Sequence, residues 1–165
     1  MNNKGFTIIE MMAALLMVSL GVMGVFSLVI QSVSYINNSA SRLTATYLAQ
    51  EGIEIVRNIR DSNILRINSG EGGEWDDNLS FGSDYYNFDY RSQSIPDNTH
   101  CSGLNYLSVN NDFYTCSSNV GAKFQRKVRI NQLSSDKIEV VVVVSWTEKQ
   151  RINTVSAQEI IYKWY

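Results

Sequence analysis

GFTIIEMMAALLMVSLGVMGVFSLVI, residues 5–30, decides the architecture of this chain. A short polar head with a single cation, Lys4, precedes a glycine, an aromatic residue and one carboxylate, Glu10, and no residue from Met11 to Ser41 carries a charge. Twenty apolar-biased residues rising about 1.5 Å each make a helix of roughly 30 Å, the thickness of a bilayer core. Residues 11–30 are therefore a candidate membrane span. Glu10 stands at its mouth, where an unpaired charge drawn into the core costs about 2.5 to 3.5 kcal/mol on insertion scales, so a partner is expected. A cut after Gly5 would place a new amino group on Phe6, one helical turn from that carboxylate. A neighbouring subunit's amino group would serve equally well.

The order of leader, Gly5, Phe6, Thr7, Glu10 and span resembles the prepilin signal of type IV pilins and of the pseudopilins of type II secretion. The resemblance implies that a membrane-embedded prepilin peptidase cuts after Gly5 and that Phe6 becomes the N-methylated first residue. It makes Glu10 the charged residue of assembly with other pilin subunits in a helical filament. It also implies single-pass insertion in the inner membrane, then transfer by pilus or secretion assembly machinery to a pilus or pseudopilus at the cell surface. Major pilins often carry a proline along this helix, whereas the one proline here is Pro96, and Gly21 and Gly24 are the only weak points. Two plainer readings compete. A cleaved secretory signal has a shorter apolar core ending in small residues, and no carboxylate at its head. A signal anchor accounts for the apolar length but leaves Gly5-Phe6 and Glu10 unexplained.

Of the 165 residues, about 60 belong to the helical stalk, and the remaining hundred or so suffice for one small head. A formal charge of −2 with 18% charged residues gives no basic footprint for nucleic acid over the whole chain. Cys101 and Cys116, downstream of a span, suggest an oxidising exterior and one disulfide, with two buried thiols as the alternative. With His100 the one histidine, there is no acyl-transfer triad, zinc helix or phosphate loop, so no enzyme, cofactor or metal site is expected.

From Gln31 to Arg60 the helix continues in amphipathic form. Ile36, Ala40, Leu43, Tyr47, Ile55 and Ile59 trace one stripe, Leu48, Gly52 and Val56 run beside it, and Gln50, Glu51, Glu54, Arg57 and Arg60 read mostly as a wet flank. Residues 61–121 lack sustained periodicity and read as loop-dominated, with the clearest break at Ser69-Gly70-Glu71-Gly72-Gly73. Between Glu71 and Asp97 the acids Glu71, Glu74, Asp76, Asp77, Asp84, Asp89 and Asp97 face only Arg91, and this stretch reads as a solvated acidic loop; a calcium site at Asp76, Asp77 and Asn78 lacks the ligand spacing of an EF-hand. Its tyrosines and phenylalanines read as pins of long loops onto a small core. Residues 122–165 are strand territory: Phe124, Val128 and Ile130 alternate with Gln125, Lys127 and Arg129, the pattern restarts from Ile138 to Trp146 as a hairpin, and Ile152 to Tyr165 reads as a strand nearer the edge. Val140 to Val144, apolar on both faces, should be central. The bases Lys123, Arg126, Lys127, Arg129, Lys137, Lys149 and Arg151 outnumber the nearby acids, but alternating cations on a strand usually form a solvated face.

Together these features predict an α+β fold, one long N-terminal helix packed on an antiparallel sheet of three or four strands. The segments are a leader over 1–5, a transmembrane and assembly helix over 6–30, its amphipathic half over 31–60, and a head over 61–165. The resemblance implies a structural subunit of a type IV pilus or pseudopilus, closer to minor pilins in its short leader, absent helix proline and Val-rich strand ending in Trp146. A membrane-anchored surface adhesin that never polymerises and a DNA-uptake pilin remain open as alternatives, DNA being the weaker partner on charge grounds.

Overall fold

The computed structural model describes residues 5, 7–103, 106–118 and 122–163. The chain divides into two compact units, Met1–Ser41 and Arg42–Tyr165. The helix α1 (Ile8–Asn68) supplies the regular structure described in the first. Thr7 caps it: Oγ1 accepts the N–H of Glu10 at 3.3 Å and the Thr7 carbonyl accepts from Met11 at 3.2 Å. Thr7-x-x-Glu10 has the spacing of a capping box, and a carboxylate in the first turn also meets the positive end of the helix dipole. Beyond the cap, large apolar side chains stand exposed all around the helix, Leu16 at 59% and Phe26 at 65% among them. Such a surface calls for apolar surroundings. Ser19 and Ser27 return their hydroxyls to the carbonyls of Leu16 and Met23 (2.8 and 3.0 Å), which satisfies them within the helix.

In the second unit α1 buries one side against a sheet. That side runs through Ala45, Leu48, Ala49, Gly52, Ile53, Val56 and Ile59. Gly52 sets the contact, because a Cβ there would lie 2.8 Å from Val142 Cγ1 and 3.0 Å from the Phe88 ring. The sheet can reach the helix backbone only where no side chain stands. This corrects the first part of the stripe expected from periodicity: Ile36, Leu43 and Tyr47 are 64%, 56% and 63% exposed, whereas its later members Ile55 and Ile59 are buried together with the line through Leu48, Gly52 and Val56, where closest approach follows the notch. The helix also continues past Arg60. It ends where Gly70, at φ 84°, takes the left-handed conformation; the N–H of Gly70 donates to Ile67 O and that of Glu71 to Arg66 O (3.0 and 3.2 Å), the two bonds of a Schellman cap.

Among the described residues six strands form the sheet: β1 (Tyr86–Asn87), β2 (Tyr106–Asn110), β3 (Phe113–Ser117), β4 (Phe124–Ser134), β5 (Lys137–Glu148) and β6 (Arg151–Tyr162). Their order is β3-β2-β4-β5-β6, with β1 also paired to β4, and every pair is antiparallel. The three long strands are those the alternation marked. The segment 61–121, expected as loop, contributes β1, β2 and β3 and so widens the sheet. Asn111 and Asp112 turn β2 into β3 with φ of 49° and 66°, and Lys149 and Gln150 turn β5 into β6 with 49° and 63°, as two-residue hairpins require.

β5 is central between β4 and β6, with Val140, Val142 and Val144 fully buried toward α1. Its other face is only half-buried: Val141 and Val143 lie opposite Arg129 and Lys127 of β4, whose long apolar stems can cover them. One cation departs from the expected solvated face. Arg126 points inward, is 1% exposed, donates from one terminal nitrogen to Leu48 O (3.2 Å) and Glu51 Oε2 (2.9 Å), and lies 4.7 Å from the centre of the Phe88 ring. Burial pushes its pKa down while Glu51 holds it charged. Glu51 is thus a partner of the sheet, as is Arg57, which pairs with Glu159 of β6.

Candidate functional site

The residues singled out at the N-terminus lie just ahead of the capped helix. Gly5 is exposed and non-helical, with no atom near the position its Cβ would occupy. Glu10 is exposed in the first turn. Phe6 and Lys4 fall outside the described residues. Because the cap is Thr7, a chain starting at Phe6 would retain both the cap and the carboxylate at its helix N-terminus. α1 holds an apolar stretch long enough to cross a membrane, and none of it is buried within the protein.

A family profile described as the prokaryotic N-terminal methylation motif matches residues 1–30. The chain carries a prepilin-type N-terminus. Searches of curated proteins and of solved structures returned no match. The prepilin motif supports the type IV pilin and pseudopilin family, and one long helix packed against an antiparallel sheet is a pilin-like α+β layout. It implies processing by prepilin peptidase and assembly with other pilins, and together with the apolar helix it fits membrane anchoring before assembly.

In the head of this prepilin-type chain, Cys101 and Cys116 are joined as a disulfide with their Cα atoms 5.3 Å apart. The bridge ties the long connection before β2 to the strand β3. Beside it Asp89, fully buried, organises the connection: its carboxylate accepts the backbone N–H groups of Arg91 (2.9 Å) and Cys116 (3.0 Å) and the Arg91 guanidinium (2.6 Å). Burial pushes the Asp89 carboxyl up, but the Arg91 side chain and those two N–H groups outweigh it and leave it below the usual carboxylate range. Asp97 behaves alike. Burial raises it, and the His100 N–H, the Ser92 hydroxyl and the Thr99 N–H together bring it lower. Two members of the supposed acidic loop are therefore internal acceptors.

Ser92, Asp97 and His100 form a cluster that resembles catalytic machinery in composition and fails it in geometry. Ser92 Oγ donates to Asp97 Oδ2 at 2.5 Å, and His100 Nδ1 meets that same oxygen at 3.2 Å. The carboxylate thus stands between serine and histidine. Nucleophile activation needs the histidine in the middle, taking the serine proton. The cluster holds a turn.

Between α1 and the 78–100 connection lies a cleft of 730 Å³, bordered by Asn58, Ser62, Arg66, Tyr90, Gln93 and His100. Asn63 fixes its helix wall by donating to Trp75 O (3.2 Å) and Asp77 O (2.7 Å). On the opposite wall the Ile95 N–H donates to Asn78 O and the Ser80 N–H to Ile95 O (2.7 and 2.8 Å). Sequence reasoning missed the Thr7 cap, Asp89, Asp97 and this cleft. The first had a legible signal in Thr7-x-x-Glu10. The two aspartates each accept an N–H two residues on, from Arg91 and Thr99, a local turn that an Asp in a loop commonly makes.

Proposed function

We propose that this chain is a structural, non-enzymatic subunit of a type IV pilus or type II secretion pseudopilus, and a minor one. It is inserted as a single-pass precursor, cut by prepilin peptidase after Gly5, N-methylated on Phe6, and assembled through the apolar half of α1 into a filament at the cell surface. The observation that carries this reading is the coincidence of the methylation motif over residues 1–30 with a helix whose apolar side chains find no cover within the protein. Removing that surface from lipid or water requires other helices. Glu10, at the head of this surface, supplies the carboxylate that a neighbouring Phe6 amino group would meet in the low dielectric of the bundle. The absence of proline anywhere in Ile8–Asn68 and the uninterrupted helix at Gly21 and Gly24 support minor status.

Gly5→Leu and Glu10→Ala separate processing from assembly. Expressed with the peptidase and filament machinery, Gly5→Leu should remain an uncut precursor in the membrane. Glu10→Ala should be cut at the normal level, because losing a charge makes the span easier to insert, yet be missing from sheared filaments. Normal entry of Glu10→Ala into filaments would contradict the assembly role.

A further inference from the structure

We propose that the cleft between α1 and the 78–100 connection is a binding site for a neutral saccharide. Its 730 Å³ falls within the range of small-molecule sites, and a smaller cavity of 360 Å³ shares Asn78, Gln93 and His100 with it, so the groove extends beyond a single chamber. The lining selects the ligand class. Among the described residues Ile55 and Ile59 are its only aliphatic ones, which leaves little apolar surface for a hydrophobic ligand to cover.

Charge narrows the class further. Each arginine on the wall already faces a carboxylate, Arg66 at 2.5 Å from Asp77 and Arg91 at 2.6 Å from Asp89, and the His100 ring lies 3.2 Å from Asp97. Recognition of a phosphate or an acidic peptide relies on guanidinium groups free to make charge-assisted pairs with the ligand. Here those pairs are made internally. A cationic ligand gains nothing either, since the three acids are engaged by the same groups.

What the cleft offers is neutral hydrogen-bonding capacity. The side chains of Asn58, Ser62 and Gln93 border it and have no hydrogen-bond partner among the described residues. An amide presents donor and acceptor together, as does a hydroxyl, so these groups suit a ligand whose own groups are hydroxyls. Tyr90 adds an aromatic wall, kept in place by stacking on Phe113 with ring centres 4.7 Å apart. Because Asn63 and the Asp89 and Asp97 networks hold both walls, little ordering cost falls on binding. The inference does not depend on how the subunit assembles.

The test uses the full chain in a zwitterionic detergent that contains no sugar. It is applied to an array of neutral oligomers of glucose, galactose, mannose and N-acetylglucosamine alongside sialylated and sulfated glycans, and the best binder is titrated by calorimetry. A neutral oligomer should bind, and Asn58→Ala and Gln93→Ala should each weaken it by roughly three- to tenfold, the loss of one neutral hydrogen bond. Both side chains are exposed and free of internal bonds, so the thermal midpoint should not move. No binding to any neutral oligomer, binding confined to the charged glycans, or binding unchanged in both variants would overturn the proposal.

Discussion

The two units give one helix two different surroundings, and its glycines record the difference. At Gly21 and Gly24 an added Cβ would meet no atom within 4 Å, whereas at Gly52 it would press on Val142 and Phe88. From Met11 to Ile30, within the first unit, the helix is apolar on every side and buries none of it. In the second it is apolar along one narrow line, flanked by Glu51 and Arg57, whose partners sit on the sheet. A helix organised for other helices needs a uniform surface and tolerates small residues anywhere, while a helix organised for one sheet needs a gap at one position. The same residue type is filler in one half and the geometric key in the other.

Truncation should expose that division most forcefully. Residues 42–165 should remain soluble and melt cooperatively, whereas removal of residues 1–56 also strips Ala45, Leu48, Ala49, Ile53, Ile55 and Val56, all at most 8% exposed. Losses of about 2 to 5 kcal/mol for each large aliphatic side chain exceed the usual 5 to 15 kcal/mol stability of a domain, so the shorter fragment should aggregate. Light scattering and circular dichroism on the two fragments decide it. Equal solubility and cooperativity would sink the helix-on-sheet account.

Substitution at the glycines comes next. Gly52→Ala should destabilise the head by about 1 to 3 kcal/mol through overpacking, despite the helix propensity that alanine adds. Gly21→Ala should leave the head's thermal midpoint unchanged. Matching midpoints for the two variants would mean that the notch does not govern packing.

The Arg126–Glu51 pair tests the buried flank. Glu51→Ala should destabilise more than Arg126→Met, because the first leaves a buried guanidinium without its countercharge and the second removes the charge together with its desolvation cost. Since Glu51 is 36% exposed, solvent softens the effect to about 1 to 3 kcal/mol. Urea titration of both variants would read the order, and the reverse order would show that the ion pair itself is the stabilising feature.

The smallest effect is on acidification. Asp89 and Asp97 lie below the ordinary carboxylate value in the fold and return to about 3.9 when unfolded, so near and below that pH the unfolded chain binds more protons. Their contribution is therefore complete above the unfolded value and fades as pH falls through it toward the folded value. The head's melting temperature should drop between pH 6 and about pH 3, with a smaller drop in Asp89→Asn. Among the described residues up to 41 only Glu10 is charged, so helicity of that half should hardly respond.

The N-terminal signal, the long helix, the three long strands and the cysteine pairing were all legible in the sequence, because each rests on local order or regular alternation. Arg126 was not, since a cation on an alternating strand looks solvated until Glu51 and the Leu48 carbonyl are brought above it. β2 and β3 hid in the same way: five residues each, rich in Asn, Ser and Tyr, they become strands by pairing with one another while β2 also pairs with β4. The cleft was least legible of all, as its walls come from residues 55–66 and 78–100, related only by the fold.

The first residue of the native protein decides between prepilin processing and a plain signal anchor. Intact-mass and N-terminal fragment analysis of material taken from cells should find a chain that begins at N-methylated Phe6, shorter by residues 1–5, with Cys101 and Cys116 bridged. A chain that begins at Met1 in cells with an active prepilin peptidase would contradict prepilin processing and return residues 5–30 to the role of a plain signal anchor.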